Sequence, residues 1–112
     1  FLIERRRQRA GTLSGGEQKM LLMARSLATR PKLLLVDEIT EGLQPSVIDR
    51  LAGVLRDERS KAGTSVLLVE QNVPFALAVA DRFVVMDRGE VVDRGAPKAP
   101  GAAAEIARYL SL

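Results

Sequence analysis

Two short apolar runs, residues 33–36 and 65–69, constrain the fold most strongly. Each run is rich in Leu and Val and ends in polar residues, a pattern typical of parallel strands that are buried on both faces. A helical stripe lies between them. It starts at Pro45, a residue that favours the first turn of a helix, and its apolar positions are Val47, Ile48, Leu51, Val54 and Leu55. Strands that alternate with helices predict an α/β fold, with a mostly parallel sheet flanked by helices.

A helix is predicted before the first run, from about Ser14 to just before Pro31. Ser14 and Glu17 have the S-x-x-E spacing of a capping box, in which the two residues satisfy each other's free amides. One apolar stripe follows at helical spacing, through Met20, Met23, Ala24 and Leu27. Pro31 is expected to stop this helix.

The C-terminal part of the chain predicts smaller elements. A short helix is expected over residues 75–80. Apolar residues at 83–86 and 90–92 flank a turn at residues 87–89, which is typical of a β-hairpin. A closing helix is predicted near residues 102–110.

Composition restricts the available chemistry. The chain has no cysteine and no histidine, which excludes thiolate metal sites, disulfides and the commonest general base. Any catalysis must therefore use carboxylates, hydroxyls, amides, Lys or Arg. No apolar run approaches the roughly 20 residues that a membrane-spanning helix needs.

Gly11 and Gly16 have the spacing of the two glycines in a phosphate-binding loop. The next residues are Glu17 and Gln18, where that motif requires Lys and then Ser or Thr. A carboxylate at this position would repel a triphosphate, so this segment is predicted not to be such a loop.

Polar side chains follow both predicted strands. Asp37 and Glu38 end the first strand, and Gln71 follows the second. Because ligands of open α/β sheets bind beyond the carboxyl ends of the strands, these residues are predicted to share one site.

Residues 13–18 read Leu-Ser-Gly-Gly-Glu-Gln and resemble the signature motif of ABC ATPases at every position. The resemblance implies contacts to ATP that is held by an opposing subunit, through Leu13, Ser14, Gly15, Gly16, Glu17 and Gln18. A hydroxyl, two glycines and a helix N-terminus are suited to a phosphate group. A helix cap alone would also explain Ser14 and Glu17, and the two interpretations are compatible because a cap also presents the amides.

Residues 33–38 are similar to the Walker B strand of the same family. The resemblance implies that Asp37 acts on Mg²⁺ and that Glu38 polarises the attacking water. Phosphoryl transfer depends mainly on such positioning and charge. Taken alone, an Asp-Glu pair at the end of a strand is a weak signal that a solvated helix cap would also explain, but its place after the signature helix makes the resemblance strong.

Residues 40–45 occupy the place of the D-loop, which implies an interface with the opposing subunit through Glu41, Gly42, Leu43 and Gln44. The pattern Glu-Gly-Leu-x-Pro resembles the subgroup that serves uptake of branched-chain amino acids and of urea or amides. Ile39 stands where the family usually has Pro, and we expect it to loosen the turn.

Residues 69–72 take the place of the switch region, with Gln71 where most of the family has a histidine. The resemblance implies a catalytic role for Gln71. Gln can donate a hydrogen bond to a γ-phosphate but cannot carry a proton charge. An ordinary polar loop after a strand explains this segment equally well.

Taken together, the resemblance implies that residues 1–112 are the C-terminal portion of one ABC ATPase domain, a partial P-loop NTPase. Its parts are a signature helix (14–30), a Walker B strand (33–38), a D-loop (40–45), a switch region (69–72), and a hairpin with a closing helix (83–111). The adenine-stacking loop, the P-loop and the Q-loop of the N-terminal half have no counterpart. We therefore expect exposed strand edges, a poor core, and no binding or hydrolysis of ATP by the chain alone.

The implied cofactors are ATP and Mg²⁺. The implied partners are a second ATPase subunit, identical or not, membrane permease subunits and, indirectly, a periplasmic solute-binding protein. Such a subunit is expected at the cytoplasmic face of a bacterial inner membrane, as a peripheral protein that energises uptake of urea or branched-chain amino acids.

Other functions stay open at this point. An arginine cluster at residues 5–9 could contact nucleic acid or anionic lipid. The chain has only three Phe, one Tyr and no Trp for stacking on bases, so no nucleic-acid partner is predicted. An ABC ATPase of DNA repair or translation shares these motifs, but usually with a coiled coil or a second cassette. A non-catalytic remnant that only binds a partner subunit is the third possibility.

Overall fold

The computed structural model describes residues 1–110, and it confirms the predicted α/β class. The elements are α1 (Gly15–Ala28), β1 (Leu33–Asp37), α2 (Pro45–Asp57), β2 (Ser65–Val69), α3 (Val73–Val79), β3 (Phe83–Asp87), β4 (Glu90–Gly95) and α4 (Ala102–Leu110). A 3-10 turn precedes α1, and a π-helical segment, Glu58–Ala62, continues α2. Residue 111, which the sequence assigned to the C-terminal part, lies outside the described residues.

Helix α1 begins where the capping box predicts. The Ser14 hydroxyl accepts a hydrogen bond from the Glu17 amide, and the Glu17 carboxylate accepts one from the Ser14 amide. The helix ends at Ala28 with Thr29 as its C-cap, after which Arg30 adopts a φ of 51° in the left-handed region. The helix has therefore already ended before Pro31.

The strands form two separate two-stranded sheets. Strands β1 and β2 are parallel, with Leu33 opposite Ser65 and Asp37 opposite Val69. Strands β3 and β4 form the predicted hairpin, antiparallel and joined at Arg88 and Gly89. These two residues have φ values of 48° and 82°, as a tight two-residue hairpin turn requires. The second strand of the hairpin reaches Gly95, beyond the predicted end at residue 92.

The hydrophobic core gathers around α2. Leu51 of this helix is completely buried, and Ala52 and Leu55 are nearly so. Around them lie buried side chains from α1, β1, the turn after β1, and α3, namely Met23, Leu34, Val36, Ile39, Phe75 and Val79. The core thus lies on one side of the parallel pair.

The opposite face of the parallel pair is exposed. Leu33, Leu35, Leu67 and Val69 are between 54% and 68% exposed. The prediction that these strands are buried on both faces is therefore wrong for residues 1–110. The radius of gyration of 15.4 Å also exceeds the value of about 13 Å for a compact domain of this length.

The turn after β1 is better anchored than its Ile39 suggested. The Ile39 side chain is only 9% exposed and belongs to the core. The amides on either side of it are both bonded, Glu38 to the Val69 carbonyl and Thr40 to the Glu70 carboxylate. Burial of the apolar side chain and these two bonds hold the turn in place, and the loosening relative to Pro stays a prediction.

No helix within residues 1–110 has both the length and the apolar character needed to cross a bilayer.

Truncation of a leucine should lower the free energy of unfolding more in the core than on the exposed face of the parallel pair. Leu51→Ala removes a completely buried side chain and is expected to lower the free energy of unfolding by about 2–5 kcal/mol. Leu67→Ala removes the same atoms from a side chain that is 58% exposed, and we expect a loss within about 0.5 kcal/mol. Urea denaturation of the 112-residue chain measures both losses, and equal losses would contradict this description of the core.

Candidate functional site

The first turn of α1 presents an open helix N-terminus. The bond from the Glu17 amide to the Ser14 hydroxyl is 3.2 Å long, and the return bond from the Ser14 amide to the Glu17 carboxylate is 3.0 Å. The amides of Gly15 and Gly16 have no carbonyl one turn earlier in the helix, as at every helix start. They lie at the positive end of the helix dipole, where an anionic group is stabilised.

The two glycines of this turn have different surroundings. A Cβ atom at Gly15 would meet nothing within 4 Å among the described residues. At Gly16 it would lie 3.3 Å from a Val47 methyl group and 3.7 Å from a Leu43 methyl group. Gly15 therefore leaves room for a ligand, whereas Gly16 allows α1 to pack closely against the segment that leads into α2.

The other predicted contacts of this motif help to build the turn itself. The Gln18 side-chain amide donates to the Leu13 carbonyl at 3.1 Å, and Leu13 is buried. The second Glu17 carboxylate oxygen lies 2.6 Å from the Arg5 guanidinium. The bond from the Ser14 amide, the Arg5 charge and the Ser14 hydroxyl together lower the pKa of Glu17 below its ordinary value, against a smaller opposing effect of burial. Glu17 is therefore a structural carboxylate in this chain.

The end of β1 holds Asp37 and Glu38 in exposed positions. The Glu38 amide donates to the Val69 carbonyl at 2.8 Å, which ties this end to β2. Glu38 has a φ of 47°, a left-handed conformation that non-glycine residues adopt at a cost of about 1–3 kcal/mol. The strand thus ends in a turn that redirects the Glu38 side chain.

An open groove of about 170 Å³ lies between α1 and β1. Its described lining residues include Lys19 and Ser26 on α1, and Asp37 and Glu38 at the end of β1, but not the glycines of the α1 N-terminus. The carboxylates therefore share this groove with the middle of α1.

The Asp37 carboxylate has the chemistry to hold a divalent cation that brings most of its own ligands. Among residues 1–110, no three Asp, Glu, His or Cys side chains cluster closely enough to hold a metal. Mg²⁺ at phosphate sites commonly takes one or two carboxylates and completes its shell with phosphate oxygens and water. Asp37 fits this arrangement as a single exposed carboxylate.

The segment after β1 is held from two sides. From α1, the Lys19 ammonium donates to the Glu41 carbonyl at 2.6 Å. From the segment after β2, Glu70 accepts the Thr40 amide at 3.1 Å and the Thr40 hydroxyl at 2.9 Å. Sequence reasoning gave neither Lys19 nor Glu70 a role. In the sequence, Lys19 directly follows the motif at residues 13–18, and Glu70 lies within residues 69–72, but neither position indicated a partner.

The remaining predicted residues lie on the surface around these contacts. Glu41, Gly42 and Gln44 are exposed, and Leu43 is half-buried where it approaches Gly16. Gln71 is exposed directly after Glu70. Since Asp37 pairs with Val69, the parallel register brings the ends of β1 and β2 to the same edge.

Comparison with known proteins identifies the family. A family model described as ABC transporter matches residues 2–41. The high-affinity branched-chain amino acid transport ATP-binding protein BraG of Pseudomonas aeruginosa is 48% identical over 97 residues, or 85% of this chain. The chain belongs to the ABC transporter family of ATP-binding proteins. It spans 41% of the length of BraG and 26% of an Fe(3+) ions import ATP-binding protein, FbpC of Streptomyces avermitilis, which is 43% identical over 81% of the chain.

Solved structures agree on the ABC fold. The ADP conformation of an ATP-binding cassette of an ABC transporter superposes with a TM-score of 0.73 at 28% identity, over 92% of this chain and 38% of that one. The protein cbiO1 of Clostridium perfringens, part of the ABC transporter complex cbiONQ, gives a TM-score of 0.77 at 27% identity, over 92% and 41% of the two chains.

The lowered pKa of Glu17 predicts a pH dependence of stability. A carboxyl group with a lower pKa in the folded state stabilises the fold at neutral pH, and this contribution is lost as the pH falls below the ordinary value of 4.5. Glu17→Gln should therefore make the unfolding midpoint less dependent on pH below that value. Urea denaturation at a series of pH values tests this, with Glu90→Gln in the hairpin as a control. A slope equal to that of the unsubstituted chain would contradict the assignment.

Proposed function

We propose that this chain forms part of an ATP-binding and ATP-hydrolysing subunit of an ABC importer. One observation carries the proposal: the capped N-terminus of α1, open at Gly15, lies in the same chain as the exposed Asp37-Glu38 pair at the end of a parallel strand. An anion-binding helix start and a pair of carboxylates are what phosphoryl transfer to water needs, because positioning and charge do most of the catalysis.

The site residues take the following roles in this proposal. Ser14 and the amides of Gly15 and Gly16 contact the phosphates of ATP that is bound by an opposing subunit. Leu13, Glu17 and Gln18 build the turn that presents them. The exposed residues of the D-loop, 41–44, face that same subunit.

The end of β1 acts on a second ATP molecule. Asp37 binds Mg²⁺ that the nucleotide brings, and Glu38 orients the attacking water. Gln71, at the same edge of the parallel pair, donates a hydrogen bond to the γ-phosphate. The groove that Asp37 and Glu38 line does not include Gly15 or Gly16, and this supports a division between two nucleotides.

The proposed partners are a second ATPase subunit, permease subunits in a bacterial inner membrane and, through them, a periplasmic solute-binding protein. The chain would lie at the cytoplasmic face as a peripheral subunit. Uptake of branched-chain amino acids or urea is supported by residues 41–45, Glu-Gly-Leu-Gln-Pro, and by Gln71. The likeness to BraG and to a second branched-chain amino acid transport ATP-binding protein, BraF of the same organism, supports branched-chain amino acids alone.

The exposed apolar face of β1 and β2 supports a further part of the proposal. Other segments of a complete cassette would cover Leu33, Leu35, Leu67 and Val69, and would supply the phosphate loop that gives most of the affinity for ATP. Asp37 and Glu38 alone would repel a triphosphate. We therefore propose that the 112-residue chain by itself neither binds nor hydrolyses ATP.

Glu38 provides the direct test of the hydrolytic role. In a full-length protein that carries this chain, Glu38→Gln should still bind Mg·ATP while hydrolysis slows by about 10²–10⁴-fold, the usual effect of losing a positioned base. Asp49→Asn, an exposed site on α2, serves as the control. Near-normal ATPase activity of Glu38→Gln would contradict the assignment.

Gly15 provides a cleaner test of the signature turn than Gly16, because Gly16 also packs against Val47. Gly15→Asp adds a charge at a helix N-terminus, where it does not weaken the helix. Repulsion between this charge and a phosphate about 4 Å away costs about 1–4 kcal/mol, so we expect ATPase activity to fall from about 5-fold to about 10³-fold. Gly15→Asn, which has the same shape without the charge, should lose less.

The same Gly15→Asp variant tests action across the subunit interface. Binding of ATP to a monomeric full-length protein should survive the substitution, because the phosphate loop of the same subunit holds that nucleotide. Loss of binding by the monomer, measured by calorimetry, would contradict a role towards the opposing subunit.

A further inference from the structure

The Glu70 carboxylate is the meeting point of two loops. One oxygen accepts the Thr40 amide at 3.1 Å. The other accepts the Thr40 hydroxyl at 2.9 Å and the Asn72 amide at 3.4 Å. Thr40 follows the end of β1 and Asn72 follows the end of β2, so a single side chain ties together the segments that leave the two parallel strands.

Thr40 depends on this carboxylate. The residue is only 7% exposed, and both its amide and its hydroxyl donate to Glu70. Bonds to an ionised acceptor are about twice as strong as bonds between neutral groups. Removal of the acceptor would leave buried donors without a partner, which favours local rearrangement of the loop.

The linked residues lie beside the proposed catalytic ones. Glu38 is two residues before Thr40, and Gln71 lies between Glu70 and Asn72, which are themselves bonded. Lys19 fixes the next residue of the loop through the Glu41 carbonyl. The D-loop therefore has attachments to the signature helix and to the switch segment at adjacent positions.

We propose that Glu70 is a positioning residue that couples the D-loop to the switch segment, so that Glu38 and Gln71 keep a common geometry around the γ-phosphate. This inference rests on the function proposed above. Glu70 contacts neither nucleotide nor water in this role. It acts through Thr40 and Asn72, and a displacement of about 1 Å in a catalytic group can cost about 10²-fold in rate.

The test uses a double-mutant cycle in a full-length protein that carries this chain. Glu70→Gln removes the charge and one acceptor oxygen, and Thr40→Val removes the hydroxyl while keeping the size of the side chain. Each should lower kcat roughly tenfold, with a change in the KM for ATP below about twofold, since binding is left intact and positioning is lost. The double variant should be no slower than the slower single variant.

Two further variants and one hydrogen-exchange measurement distinguish a positioning role of Glu70 from a merely structural one. Thr40→Ser keeps the hydroxyl and should retain more of kcat than Thr40→Val. Glu90→Gln, on the exposed hairpin, should leave kcat unchanged. Hydrogen exchange of the Thr40 and Asn72 amides should accelerate together in Glu70→Gln. If Glu70→Gln does not fold, Thr40→Val carries the kinetic test, because it keeps the carboxylate and both backbone bonds.

Several results would overturn the coupling. These are a normal kcat in both single variants, effects that multiply in the double variant, or a lowered unfolding midpoint with an unchanged kcat. If the unsubstituted protein hydrolyses no ATP, the proposed function fails, and hydrogen exchange then decides the coupling alone. Unchanged exchange at Thr40 and Asn72 in Glu70→Gln would refute it independently of activity.

Discussion

The reciprocal hydrogen bonds between Ser14 and Glu17 are the interaction on which the site depends. They start α1 at one defined residue and leave the next two amides at an open helix end. Because the start is defined, Gly16 comes to lie against Leu43 and Val47, where a side chain would not fit without movement. The same two bonds therefore set both the anion-binding end of α1 and its contact with the D-loop.

The parallel register of β1 and β2 is the second constraint. It places Asp37 opposite Val69, and the bond from the Glu38 amide to the Val69 carbonyl continues the contact beyond the strand. The strand then ends in a left-handed turn at Glu38, so that Asp37 and Glu38 both line the groove between α1 and β1.

The distribution of apolar residues shows which side of the parallel pair has a closed core within the described residues. On one side of the parallel pair, Leu34 and Val36 pack against α2 in a closed core. On the other side, Leu35 and Leu67 remain exposed. An apolar face of this kind is typical of a surface that another part of the protein covers. The chain spans 41% of the length of its relative BraG.

The sequence by itself determined the local features, because each depends on neighbours along the chain. The capping box at Ser14, the hairpin turn at Arg88 and Gly89, and the alternation of helices and strands were all predictable from short spacings. The motifs also identified the family before any geometry was known. The roles of Glu38 and Gln71 remain predictions, since they concern a ligand and a partner.

Only the tertiary structure decided what depends on contacts between distant residues. The pattern of residues 33–36 is the same whether one face or both faces are covered, so sequence alone predicted burial on both faces and was wrong. Likewise, Gly15 and Gly16 are alike in sequence but differ in space, because α2 packs against only one of them. The contact of Glu70 with Thr40 was also beyond prediction, since the two residues are 30 positions apart and are brought near by the pairing of β1 with β2.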